Sequence, residues 1–183
     1  QDGIVAMAKK STHGKLDMGN LFRALAYSLD NALSPYLLNG TPEDYKEFVT
    51  ESPKIAYVMD CIATVKKWHE DHKETASGQV IYMNRGKQFF PLVKEYLEKE
   101  IGYKKGVMYD RTRVDEVEII SSEINDTRKE LIKEAFLDGV VKIIIGTATK
   151  AGATSSTVLL SAGEASTGVL TLKANANIPH AIA

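Results

Sequence analysis

Apolar and polar positions change period several times along the chain, and each change marks an element. Leu21, Leu25, Ala26 and Leu29 recur at helical spacing and predict a helix over residues 21–33. Asn39, Gly40, Thr41 and Pro42 break the pattern, and acidic residues open a short helix over 43–49. Ser52 before Pro53 reads as a helix start, because proline at the first helical position forfeits an N–H that has no partner anyway. Ile55, Val58, Met59, Ile62 and Val65 then form one apolar stripe, so this helix should run from Pro53 to about Asp71 and pack on a sheet.

The pattern next shortens to strand length. Residues 79–83 are β-branched and aromatic, the polar Asn84, Arg85 and Gly86 follow, and Phe89, Phe90, Val93, Tyr96 and Leu97 return to helical spacing. Gly102 suits the left-handed residue that closes such a helix. Short strands are expected at 107–109 and 117–120, separated by a charged loop over 110–116. Thr127-x-x-Glu130 has the form of a capping box, and Leu131, Ile132, Ala135 and Phe136 carry the helix to Gly139. Residues 140–145 are almost continuously β-branched and end in Gly146 and Thr147. A strand apolar on both faces belongs in the middle of a parallel sheet covered by helices. Alternating strands and helices therefore predict a three-layer α/β domain.

From Lys150 the composition changes. Residues 150–183 hold three charged side chains, Lys150, Glu164 and Lys173, against eight alanines and eight serines or threonines. Strands are expected at 157–160 and 169–172, with the tail packed poorly. The organisation read from the sequence is a lead-in over 1–42, an α/β unit over 43–149 and an atypical tail over 150–183.

The 183 residues are 44% apolar and 26% charged, which excludes wholesale disorder. Twenty-three basic against 24 acidic residues leave a formal charge of -1, so any affinity for nucleic acid must come from local placement. Cys61 is the single cysteine, which excludes a disulfide framework and fits a reducing compartment. No apolar run reaches the roughly 18 residues of a membrane span, and the N-terminus lacks signal-peptide character, so a cytoplasmic protein without a membrane partner is expected. A start at Gln1 leads to the expectation of a piece cut from something longer.

In an open parallel sheet the ligand crevice lies at the carboxyl ends of the strands. Three expected strands end in small or polar residues: Asn84, Arg85 and Gly86; Ser121 and Ser122; and Gly146, Thr147 and Thr149. Free N–H groups, hydroxyls and an arginine at one edge suit phosphate. The plain alternative is that polar residues merely populate loops. His69, Glu70, Asp71, His72 and Glu74 lack the spacing of a zinc-binding HExxH and read as the polar end of a helix.

Ser52-Pro53-Lys54, then GQVIYMNRGKQFFPLVKEYL from Gly78, VEIISSEINDTRKELIKEAF from Val117 and VVKIIIGTAT from Val140, resemble the C-terminal RecA-like lobe of superfamily 2 helicases, in particular the Snf2-like DEAD/DEAH-box proteins of phages and bacteria. The resemblance covers residues 43–149. It implies an incomplete RecA-like domain with a mostly parallel sheet, in which residues 79–86 stand at helicase motif IV and 146–149 at the start of motif V. Asn84, Arg85, Gly86, Thr147 and Thr149 would then touch the backbone of DNA or RNA, and Gly146 and Thr147 would also face a nucleotide. The implied role is the second motor lobe of an ATP-dependent helicase or translocase, using ATP with Mg together with a missing N-terminal lobe. Arg128 reads instead as a helix-surface or structural arginine.

The departures limit what this chain does alone. Neither Gly14-Lys15-Leu16 nor Gly86-Lys87-Gln88 completes a phosphate-binding GxxxxGK[ST] loop. Asp115-Glu116 precedes an apolar strand, whereas a Walker B carboxylate follows one. No arginine follows Arg128, so the family's closing arginine motif is missing. The isolated chain is expected to bind no cofactor and to be catalytically inactive. The reading from a different class is a non-catalytic α/β interaction module without nucleic-acid binding.

Overall fold

A computed structural model describes residues 18–74 and 78–147, together with the backbone of 158–161 and 171–172. The chain divides into two compact units, 1–56 and 57–183. In the first, α1 (Met18–Leu33) is followed by a single 3-10 turn at Pro35–Leu37 and by α2 (Tyr45–Thr50). The Asp44 carboxylate caps α2 by accepting the Lys46 and Glu47 N–H groups, both at 2.8 Å. Tyr36 donates to Glu47 at 2.8 Å, and the hydroxyl of Ser52 donates to Ser34 Oγ across 2.8 Å of buried space. Phe48 and Val49 are the buried side chains of α2.

Helix α3 (Pro53–His72) starts on Pro53, as expected, and its Val58, Met59 and Ile62 are buried. The rest of the second unit alternates strands and helices: β1 (Gln79–Tyr82), a 3-10 turn at Lys87–Phe89, α4 (Phe90–Lys99), β2 (Val107–Tyr109), β3 (Thr112–Val114), β4 (Val117–Ile120), α5 (Asp126–Leu137) and β5 (Ile143–Gly146). Segments β6 (Val158–Ser161) and β7 (Thr171–Leu172) extend the sheet, whose order is β4-β5-β1-β6-β7. β4, β5, β1 and β6 run parallel, and β7 pairs antiparallel with β6.

The apolar run before Gly146 does what its composition demands. All four residues of β5 are buried, and the strand lies between β1 and β4. Val80, Ile120 and Ile144 point to one face and pack with Ile132, Ala135 and Phe136 of α5. By the two-residue period of a strand, Ile81, Ile143 and Ile145 point to the other face, and they are buried too, so the sheet is covered on both sides. Gly78, at the start of β1, is required by close approach: a Cβ there would stand 2.4 Å from the Phe136 ring.

Two expectations need correction. The stretch 110–116 is not an uninterrupted loop, because Thr112–Val114 pairs antiparallel with β2 as a separate two-stranded hairpin. Its turn residues Asp110 and Arg111 both take positive φ, 38° and 62°, the handedness that matches the twist of a two-residue hairpin. Burial of Val114 ties the hairpin down. The cap of α5 is Asn125, whose side chain accepts the Arg128 N–H at 2.8 Å; Thr127 lies inside the helix.

Candidate nucleic-acid interface

Register places the strand ends. Tyr82 of β1 and Ile120 of β4 both pair with Gly146 of β5, so the three strands finish level. The Met83 N–H donates to the Gly146 carbonyl at 2.9 Å, which holds the turn after β1 against the end of β5. Asn84 and Arg85 are exposed on that turn, and Gly86 is buried with φ of 76°. Positive φ lets the chain reverse directly into the 3-10 turn and α4, and glycine adopts it without penalty. Thr147 is 9% exposed at the end of β5. Of the residues chosen from the sequence, Asn84, Arg85, Gly86, Gly146 and Thr147 therefore belong to one edge, while Thr149 lies outside the described residues.

A cleft of about 390 Å³ opens on this edge. Its apolar lining comes from Phe90 and Pro91 at the start of α4 and from Ile119 and Ile120 at the end of β4. Its polar lining comes from Lys87, Ser121, Ser122, Glu123 and Thr147. Asn84 and Arg85 do not line it. Sequence reasoning misses Lys87 and Glu123: in the sequence Lys87 only fails a phosphate-loop pattern, and its position directly after the left-handed Gly86 is the signal that places it at the strand end. The Ser121 hydroxyl accepts the Glu123 N–H at 3.3 Å and shapes the loop after β4.

Elsewhere in the unit, charges close on one another. Lys94 pairs with Asp115 at 2.6 Å, the Gly106 N–H donates to the same carboxylate at 2.8 Å, and the Asp115 N–H donates to Glu118 at 3.0 Å. Arg128 donates to Glu118 at 2.6 Å and to the Arg113 carbonyl at 3.0 Å, which assigns it a structural role. Burial pushes the Asp115 carboxyl up, but the hydrogen bonds from Lys94 and Gly106 outweigh it and leave the pKa below its ordinary value. His69 is buried beside Trp68, which also stacks on His72 at 4.3 Å; desolvation holds the His69 pKa below 6.5. Tyr109 donates to Asp138 at 2.6 Å, and that hydrogen bond pushes the phenol up to about 12. These pairs fasten the hairpin to α4, β4 and α5.

The layered sheet with its level strand ends has a solved counterpart. A Sulfolobus solfataricus SWI2/SNF2 ATPase C-terminal domain superposes with a TM-score of 0.53 at 16% sequence identity, over 80% of this chain and 54% of that one. The fold is that of a RecA-like C-terminal domain. This chain spans about half the length of that structure. No protein-family model and no curated protein matches it. Within the RecA-like fold, ATP with Mg does not fit the residues at hand: the 183 residues contain no GxxxxGK[ST] loop, and Gly146 with Thr147 offers little more than backbone groups and one hydroxyl. Among the described residues, no helix is long and apolar enough to cross a membrane, and no cluster of His, Cys, Asp or Glu is arranged to hold a metal ion.

Proposed function

We propose that this chain is the second motor lobe of an ATP-dependent helicase or translocase of the Snf2-like kind found in phages and bacteria. It works in the cytoplasm with an N-terminal lobe that supplies the phosphate-binding loop. Its level strand-end edge carries the backbone of the bound strand. The observation behind this reading is the shared register of Tyr82, Ile120 and Gly146, which gathers a cation-bearing turn, a serine loop and Thr147 on one side of a RecA-like sheet. Arg85 meets phosphate by charge, Asn84 and Thr147 by hydrogen bonding, and Gly86 by leaving room for the backbone. Such contacts carry no base information, and each phosphate neutralised releases about one counterion.

The test is fluorescence anisotropy of the full chain and of Arg85→Ala with a labelled single strand at two salt concentrations. Weak binding by the parent, with weaker binding by the variant and a salt slope lower by about one, is the expected outcome. An unchanged affinity and slope in the variant would move the strand elsewhere. No binding at low salt would favour a non-catalytic interaction module. The chain alone should hydrolyse no ATP, since the groups that stabilise phosphoryl transfer are supplied from outside it.

A further inference from the structure

A site made only for phosphate would be lined by cations, hydroxyls and N–H groups. The cleft at the strand ends differs in two respects: much of its lining is apolar, and the acidic Glu123 is one of its lining residues. An ionised carboxylate only accepts hydrogen bonds, so it repels phosphate and seeks a donor. Apolar lining likewise contributes nothing to a phosphate, but the exposed Pro91 and the half-buried Ile119 offer a surface to a flat, weakly hydrated ring. The volume, about 390 Å³, falls at the lower end of the roughly 300–1,000 Å³ of small-molecule sites.

We propose that this cleft receives a nucleobase turned out of the strand that crosses the edge. The inference rests on the reading of the edge as a nucleic-acid track. The base lies against Pro91 and Ile119, and Lys87 is left for the attached phosphate. Ser121, Ser122 and Thr147 donate to or accept from the base edge. Glu123 sets the preference: it accepts from an exocyclic amino group, which cytosine presents at N4, whereas thymine and uracil present carbonyl oxygens on both sides of their single ring N–H. Strands of amino-bearing bases should therefore bind better than oligothymidine of equal charge.

The experiment uses the full chain and three labelled 15-nucleotide strands of equal charge: oligocytidine, oligothymidine and an abasic phosphodiester. Oligocytidine should bind about tenfold more tightly than the abasic strand, the order expected for one seated base, and several-fold more tightly than oligothymidine. Glu123→Gln, on an exposed loop, should erase the preference for cytidine over thymidine without weakening the abasic strand. Equal affinity for abasic and base-bearing strands would overturn the base pocket while leaving the backbone track standing. Failure of every strand to bind at low salt would remove the track itself. A Glu123→Gln variant that keeps the cytidine preference would refute the assigned recognition. Free cytidine monophosphate should compete only at far higher concentration than the strand; competition at the strand's own concentration would make the cleft a free-nucleotide site and overturn the proposal.

Discussion

The β2–β3 hairpin and the strand-end edge hold comparable sets of polar residues and use them in opposite ways. Around the hairpin, Lys94, Asp115, Glu118 and Arg128 are turned on one another at 2.6–3.0 Å. At the strand ends, Lys87, Ser122 and Glu123 are exposed around a cleft. The first arrangement converts charge into attachment of one element to another, and the second leaves it facing whatever enters. Polar content alone does not mark a binding site; the direction in which the groups are satisfied does.

The contrast breaks most readily on the closed side. Glu118 keeps only 9% of its side chain exposed, and Arg128 neutralises it while anchoring β3. Arg128→Met should destabilise the fold by about 2–4 kcal/mol, because the carboxylate left behind is buried without its cation; urea unfolding measures it, and a loss below about 0.5 kcal/mol would contradict the closed network. Gly78→Ala should follow at about 1–3 kcal/mol, since the new methyl meets the Phe136 ring and the packed core must shift. Thermal melting of the variant is the check.

Acid sharpens the same contrast through smaller effects. His69 has its pKa lowered by burial, so the folded state prefers the neutral ring. Its contribution is present above the unfolded value of 6.5 and is lost as pH falls through the depressed folded value. Melting temperature should decline on that side of pH 6.5, and His69→Phe should flatten the decline. Asp115, also lowered, contributes above its unfolded value of 3.8 and gives that up only at still lower pH. The smallest effect belongs to the open edge: Glu123→Gln, at an exposed position of the cleft, should change unfolding free energy by no more than about 0.5 kcal/mol. A large loss of stability in that variant would show that the open edge is as structural as the closed one.

The helices and parallel strands were legible because apolar period tracks burial. The run of isoleucines from Ile143 could serve only a strand covered on both faces, and that is where it lies. The hairpin was not legible, since Asp110 and Arg111 do not form one of the glycine-containing pairs that usually announce a two-residue turn, and only Val114 in the stretch 110–116 is apolar. Thr127 misled for a related reason: Asn125 reached the free Arg128 N–H first, so the capping-box pattern was redundant. For the site, the strand ends could be read from where apolar runs stop. The joining of Lys87 with Glu123 across one cleft could not, because it depends on two turns meeting in space rather than on any spacing along the chain.

The position of β5 also governs how the chain comes to be assembled. β1 ends at Tyr82, and both of its neighbours, β5 and β6, are encoded later; β4 pairs with β5 as well. During synthesis at about 5–20 residues per second, β1 therefore waits roughly 3–12 seconds before Ile143 and its followers emerge. Until then, two apolar strands have unpaired backbone edges in a nascent chain, the condition that invites association with other chains. β5 pairs with both β4 and β1, so its arrival completes two ladders. A chain terminated between Asp138 and Lys142 would thus have its helices able to form and its central sheet lacking the strand that joins β1 to β4.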